Sequence, residues 1–193
     1  MIRVGLTGGI GSGKSYIAEI FCKLKVPVFN SDLRAREISD TSEEARAQII
    51  SHFGNKAYNN DSLNRRFIAG MVFENPLLLE KLNKILHPLV EKEFEAWCSE
   101  NNSSDYIIKE AAILFETGNY KKLDSTILVA APEDIRITRV QKRDNSDRDS
   151  IIKRMENQWD DQVKEKLADY IIYNDGKTLI LPQIIEIHKR LTD

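Results

Sequence analysis

The chain has 193 residues, 41% hydrophobic and 30% charged, with a formal net charge of −2 from 28 basic and 30 acidic side chains. That length supports one domain with a real hydrophobic core and room for a small insertion. The balanced charge gives no overall footprint for nucleic acid, so any basic patch must be local. Two cysteines, Cys22 and Cys98, cannot staple a fold of this size and read as reduced, half-buried thiols of a cytosolic protein. No window approaches ~18 consecutive apolar residues, which argues against a membrane span. The opening residues run straight into a strand-like segment, so no signal peptide is expected and the protein should act in the cytoplasm.

In chain order, Ile2–Thr7 is short, apolar and β-branched and predicts a buried strand. Residues 13–25 carry Ile17, Ile20, Phe21 and Leu24 at helical spacing. Residues 26–30 predict a second strand, with Pro27 placing it near an edge or making it irregular. Thr41, Ser42, Glu43 and Glu44 open a helix in the manner of a capping box, closed by Phe53 and Gly54. Asp61 and Ser62 can cap a segment running through Phe73, and residues 77–86 are helical. His87 and Pro88 are expected to break the chain before residues 89–98 resume the helical pattern. No strand pattern occurs between Asn30 and Tyr106, so this stretch reads as a helical subdomain inserted into an α/β core.

Strand patterns return at residues 106–109, 126–131 and Tyr170–Tyr173. Pro132 followed by Glu133 and Asp134 opens a helix that carries Arg136 to Arg143, and residues 181–191 form a last helix. The alternation on both sides of the insertion predicts a parallel sheet of about five strands covered by helices. With the glycine-rich loop GGIGSGKS at positions 8–15 following the first strand, the expectation is a three-layer α/β fold of the P-loop NTPase type. The expected division is a core of residues 1–32, 104–135 and 159–193, a helical insert of about 33–103, and a lid of about 136–158.

The sequence GGIGSGKS at positions 8–15 satisfies G-x-x-x-x-G-K-[ST]. Its glycines, Gly8, Gly9, Gly11 and Gly13, let backbone N–H groups approach phosphate oxygens, and the following helix adds its positive end. Lys14 neutralises the β and γ oxygens, and the Ser15 hydroxyl can ligate Mg²⁺. Five of the nine glycines fall in the first thirteen residues, and the motif lies between a predicted strand and a predicted helix. Gly8, Gly9, Gly11, Ser12, Gly13, Lys14, Ser15 and the adjoining Tyr16 are therefore the expected nucleotide-binding set.

A GTPase switch needs DxxG and [NT]KxD, and neither string occurs. A motor ATPase would carry an apolar strand ending in Asp, and none of the predicted strands does. A small phosphotransferase remains. Asp32, beyond the second strand at the carboxyl edge of the sheet, could accept the proton of an attacking hydroxyl or help hold Mg²⁺. Taken alone, it reads better as an N-cap for residues 33–38. Seven basic residues between Arg136 and Arg154 are largely explained as a solvated helix face, while a lid clamping the transferring phosphate would use a few of them.

Assembled, these features resemble the dephospho-CoA kinase family over nearly the whole length. The GLTGGIGSGKS loop looks like the family's own, and Asp32 matches the last position of its Asp-Ala-Asp segment. Leu63, Asn64 and Arg65, then Val72 and Phe73, look like its Leu-Asp-Arg and Val-Phe segments. His87, Pro88, Leu89 and Val90 are similar to its His-Pro-Leu-Val turn. Leu114, Phe115 and Glu116, and the ADYIIYN segment at 168–174, fall on further family segments. Arg139, Arg143, Arg154 and Gln158 lie where it places its lid arginines and its Arg-x-x-x-Gln pair.

Two departures stand out: Asn30 replaces the first Asp of Asp-Ala-Asp, and Glu110-Ala111-Ala112 stands for Asp-x-Pro. The resemblance implies transfer of phosphate from ATP, with Mg²⁺, to the ribose 3′-hydroxyl of dephospho-CoA. It implies Asp32 as base, Lys14, Arg139 and Arg143 as charge stabilisers, and Ser15 on the metal. Asp32, Arg65 and His87 would serve the acceptor, although from the residues alone His87 caps a helix end and Arg65 is a surface charge. The expected partner is this small molecule, with no nucleic acid or membrane, in a monomer or weak homo-oligomer. The open alternatives are another small-molecule kinase, such as a nucleoside monophosphate kinase, and a non-enzymatic ATP-dependent regulator.

Overall fold

The computed structural model describes residues 1–73 and 75–193; of Phe73 only the backbone is described. In chain order the elements are β1 (Ile2–Thr7), α1 (Lys14–Lys23), β2 (Val28–Asn30), α2 (Ser31–Thr41), α3 (Glu43–Phe53), β3 (Tyr58–Asn59), β4 (Ser62–Leu63), α4 (Arg65–Phe73) and α5 (Pro76–Glu100). There follow β5 (Tyr106–Glu110), β6 (Ser125–Ala130), α6 (Glu133–Asp144), α7 (Arg148–Met155), α8 (Asp161–Glu165), β7 (Tyr170–Tyr173) and α9 (Ile180–Thr192). The chain divides into two compact units, one of Met1–Asn30 with Asn101–Asp193, the other of Ser31–Glu100.

The first unit is built on a five-stranded parallel sheet of order β2-β5-β1-β6-β7. Its strands are nearly continuous apolar runs because both faces are covered. Val4, Leu6, Ile108, Ile127, Val129 and Ile172, alternating along four strands, pack with Ile17 and Phe21 of α1 and Ile184, Ile187 and Leu191 of α9. On the other face Ile107, Leu114, Phe115 and Leu128 are also buried. A smaller cluster joins Ile137 and Val140 of α6 to Ile151 of α7, with Ile10 of the glycine loop packed against it. The predicted five-stranded parallel α/β fold is the one observed.

In the second unit α2, α3 and α4 all pack on the long helix α5. Three local expectations need correction. Pro88 does not break the chain: it lies inside a continuous 25-residue helix, where packing outweighs the loss of one backbone hydrogen bond. Ser62 is not a helix cap but part of a two-residue antiparallel hairpin, Tyr58–Asn59 with Ser62–Leu63, too short to show a period of two. The cap of α4 is Asn64, whose Oδ1 accepts from Phe67 N–H at 3.2 Å. At α3, Ser42 accepts from Ala45 N–H; with alanine at that position, only half of a capping box forms. Cys22 is exposed and Cys98 buried, rather than both being half-buried. Among the described residues no helix is long and apolar enough to cross a membrane.

Candidate active site

The P-loop connects the carboxyl end of β1, the central strand, to α1. Gly13 caps α1 in the left-handed region at φ 95°, and Gly11 takes φ 79°, conformations that an L side chain adopts only with strain. A Cβ on Gly11 would also run into the backbone carbonyl of Arg136, and one on Gly13 into the side-chain amide of Asn174. These glycines thus allow the close approach of neighbouring elements.

Two residues far away in sequence fix the loop. The Asn174 amide donates to the Ser12 carbonyl at 2.7 Å, and Arg139 donates to the same carbonyl at 3.3 Å and to Asn174 O and Oδ1 at 3.1 Å each. These bonds restrain the carbonyl and so the orientation of the loop, and pre-organised donors lose little on binding. Ile10 N–H donates to Gln158 Oε1 at 2.8 Å, and Gln158 Nε2 donates to the Ala112 carbonyl at 3.1 Å. One glutamine therefore ties the segment after α7 to both the P-loop and the loop after β5.

Behind this tie is a buried charge cluster. Lys164 is fully buried with its Nζ 3.0 Å from Glu116 Oε1 and 4.0 Å from Asp161 Oδ1; Arg136 reaches Asp161 at 3.7 Å. Glu116 Oε1 also accepts from Trp159 N–H. Burial pushes the Asp161 carboxyl above its ordinary range, opposed by Arg136 and Lys164. Breaking such a cluster leaves a buried, uncompensated charge. Lys164→Met should thus cost about 3–5 kcal/mol and lower the melting temperature by on the order of 10 °C, measured by calorimetry. Adding Glu116→Gln should recover part of the loss.

On the other side of the loop, Glu110 ends β5 with its side chain 4% exposed. Its Oε1 accepts from Ser15 Oγ at 3.1 Å and its Oε2 from Asn30 Nδ2 at 2.7 Å. β5 is thus an apolar strand ending in an acid at the P-loop serine, although in Glu rather than Asp. The role is not legible in the sequence, where the usual signal is an apolar strand ending in aspartate and the strand pattern stops at Lys109. Asn30 and Glu110 end β2 and β5, and Ser15 in the first turn of α1 meets Glu110 there, at the carboxyl edge where parallel sheets collect ligands.

The other expected residues are placed as follows. Arg143 is exposed and pairs with Asp144 at 2.6 Å; Asp144 also receives Arg154 at 3.2 Å, and these two guanidinium groups hold its carboxyl down at about 2. Tyr16 is exposed on α1. In the second unit, Asp32 is exposed in the first turn of α2, inside the helix, since that helix begins at Ser31. The N-cap reading of Asp32 therefore fails. Arg65 makes a bidentate pair with Asp40 at 2.7 and 3.2 Å, which lowers the Asp40 pKa. His87 is half-buried within α5 rather than at a helix end.

An intact P-loop between the central parallel strand and a helix, with an acid-ended strand beside its serine, defines a nucleotide-binding P-loop protein of the α/β class, and the family match below makes it a kinase. The sequence pattern of dephospho-CoA kinase matches residues 2–179, and the chain belongs to the dephospho-CoA kinase family. It is 40% identical over 188 residues to the dephospho-CoA kinase of Porphyromonas gingivalis, covering 97% of this chain and 93% of that one. A solved Thermus thermophilus protein superposes with a TM-score of 0.85 at 29% identity, covering 98% and 95% of the two chains. The dephospho-CoA kinase of Campylobacter jejuni shares the fold at a TM-score of 0.71 and 22% identity, covering 98% and 96%.

Proposed function

We propose that this protein transfers the γ-phosphoryl group of ATP to the ribose 3′-hydroxyl of dephospho-CoA, giving CoA and ADP in the last step of CoA synthesis, and that it does so in the cytoplasm. The observation that carries the site assignment is the Glu110 carboxylate on Ser15, beside a P-loop restrained by Asn174 and Arg139. Phosphoryl transfer asks for positioning and charge stabilisation rather than covalent chemistry from the protein. The loop amides and Lys14 hold the β and γ phosphates, and Arg139 and Arg143 of the lid, residues 136–158, add positive charge. Asp32 orients and deprotonates the acceptor hydroxyl. Arg65 and His87, from the insert, residues 33–103, bind the acceptor.

Mg²⁺ takes hard oxygen donors, keeps several waters, and needs only one or two carboxylates beside the substrate phosphates. Ser15 Oγ and Glu110 fit that demand, and among the described residues no cluster of three or more His, Cys, Asp or Glu offers a rival metal cage. These two residues would hold the ion, which when bound neutralises charge on the phosphates. ADP release measured with dephospho-CoA, AMP, CMP and shikimate tests the reading. Dephospho-CoA should be preferred in kcat/KM by roughly 10²-fold or more; no turnover of it would overturn the assignment.

A further inference from the structure

Strand register makes Asn30 and Glu110 direct partners across β2 and β5, and the hydrogen bond between their side chains is 2.7 Å. Glu110 is buried, so its carboxylate needs its lone pairs satisfied and its orientation fixed. One oxygen is met by the Ser15 hydroxyl and the other by the Asn30 amide. Asparagine supplies a donor without a charge, so this corner keeps a single carboxylate aimed at the P-loop serine. A glutamate has one more rotatable bond than an aspartate, and the amide removes that freedom.

We propose that Asn30 is a positioning residue for the divalent cation of the nucleotide, acting through Glu110 and touching neither metal nor phosphate itself. This rests on the reading of Ser15 and Glu110 as the Mg²⁺ donors. A hydrogen-bond partner of a metal-binding carboxylate typically governs affinity by 10–100-fold. The loop amides and Lys14 hold phosphate independently of Asn30, so metal-free nucleotide binding should not depend on it.

Calorimetric titration of ADP into the full chain, once with saturating Mn²⁺ and once with chelator, separates these terms. In the native protein Mn²⁺ should tighten ADP binding. Asn30→Ala should reduce that gain about tenfold while leaving the chelator affinity within about twofold, which also reports a folded P-loop. Glu110→Gln should remove at least as much of the gain. Asn30→Ala added to Glu110→Gln should cost nothing further, because the two act as one unit. Equal weakening with and without metal, or additive losses in the double variant, would overturn the proposal and make Asn30 a structural residue of β2. Absence of any metal-dependent gain in the native protein would overturn the metal assignment of Ser15 and Glu110 on which it rests.

Discussion

Lys14→Ala should abolish phosphoryl transfer, lowering kcat/KM by about 10³-fold or more, and should weaken ATP binding as well. Lys14 begins α1 directly after the left-handed Gly13, so its charge is carried by the same turn whose amides are proposed to bind the phosphates. A single cationic donor aimed at developing charge is worth several kcal/mol, comparable to the 10²–10⁵-fold range seen for oxyanion donors and arginine fingers. The substitution should leave the fold alone, since alanine is the better helix former and Lys14 is half-buried rather than part of the core. Steady-state kinetics, ATP calorimetry and a melting curve on the same variant separate these effects. Normal ATP affinity in Lys14→Ala would contradict the assignment of the loop.

Asp32→Asn should behave differently: ATP affinity and melting temperature unchanged, kcat lower by roughly 10²–10⁴-fold. Asp32 is exposed in the first turn of α2, where a negative charge stabilises a helix by only about 0.3–1 kcal/mol. Asparagine has the same shape, so a rate loss of that size cannot come from stability. It would reflect loss of the carboxylate's chemical role, which the proposed reading assigns to taking the hydroxyl proton. Near-native turnover would make Asp32 a helix-terminus charge and nothing more.

The parallel sheet and the loop could be read from the sequence because their signals are local. Ile2–Thr7 is a run of apolar and β-branched residues, and the P-loop glycines follow within thirteen positions. What holds that loop could not be read. Asn174 and Gln158 reach it across 162 and 148 residues, and no spacing rule predicts a contact of that length. The Glu110–Asn30 pair depends on strand register, which the topology sets only once β5 has inserted between β1 and β2. Local propensity makes Pro88 a break, but α5 is stabilised by three helices packed on it. Tertiary burial outweighs one missing hydrogen bond.

The fate of the γ-phosphate tests the central claim most directly. With γ-labelled ATP, Mg²⁺ and dephospho-CoA, label should pass to the acceptor in a product that co-elutes with CoA, one label for each ADP formed. Label recovered only as inorganic phosphate, or carried by a product other than CoA, would contradict it.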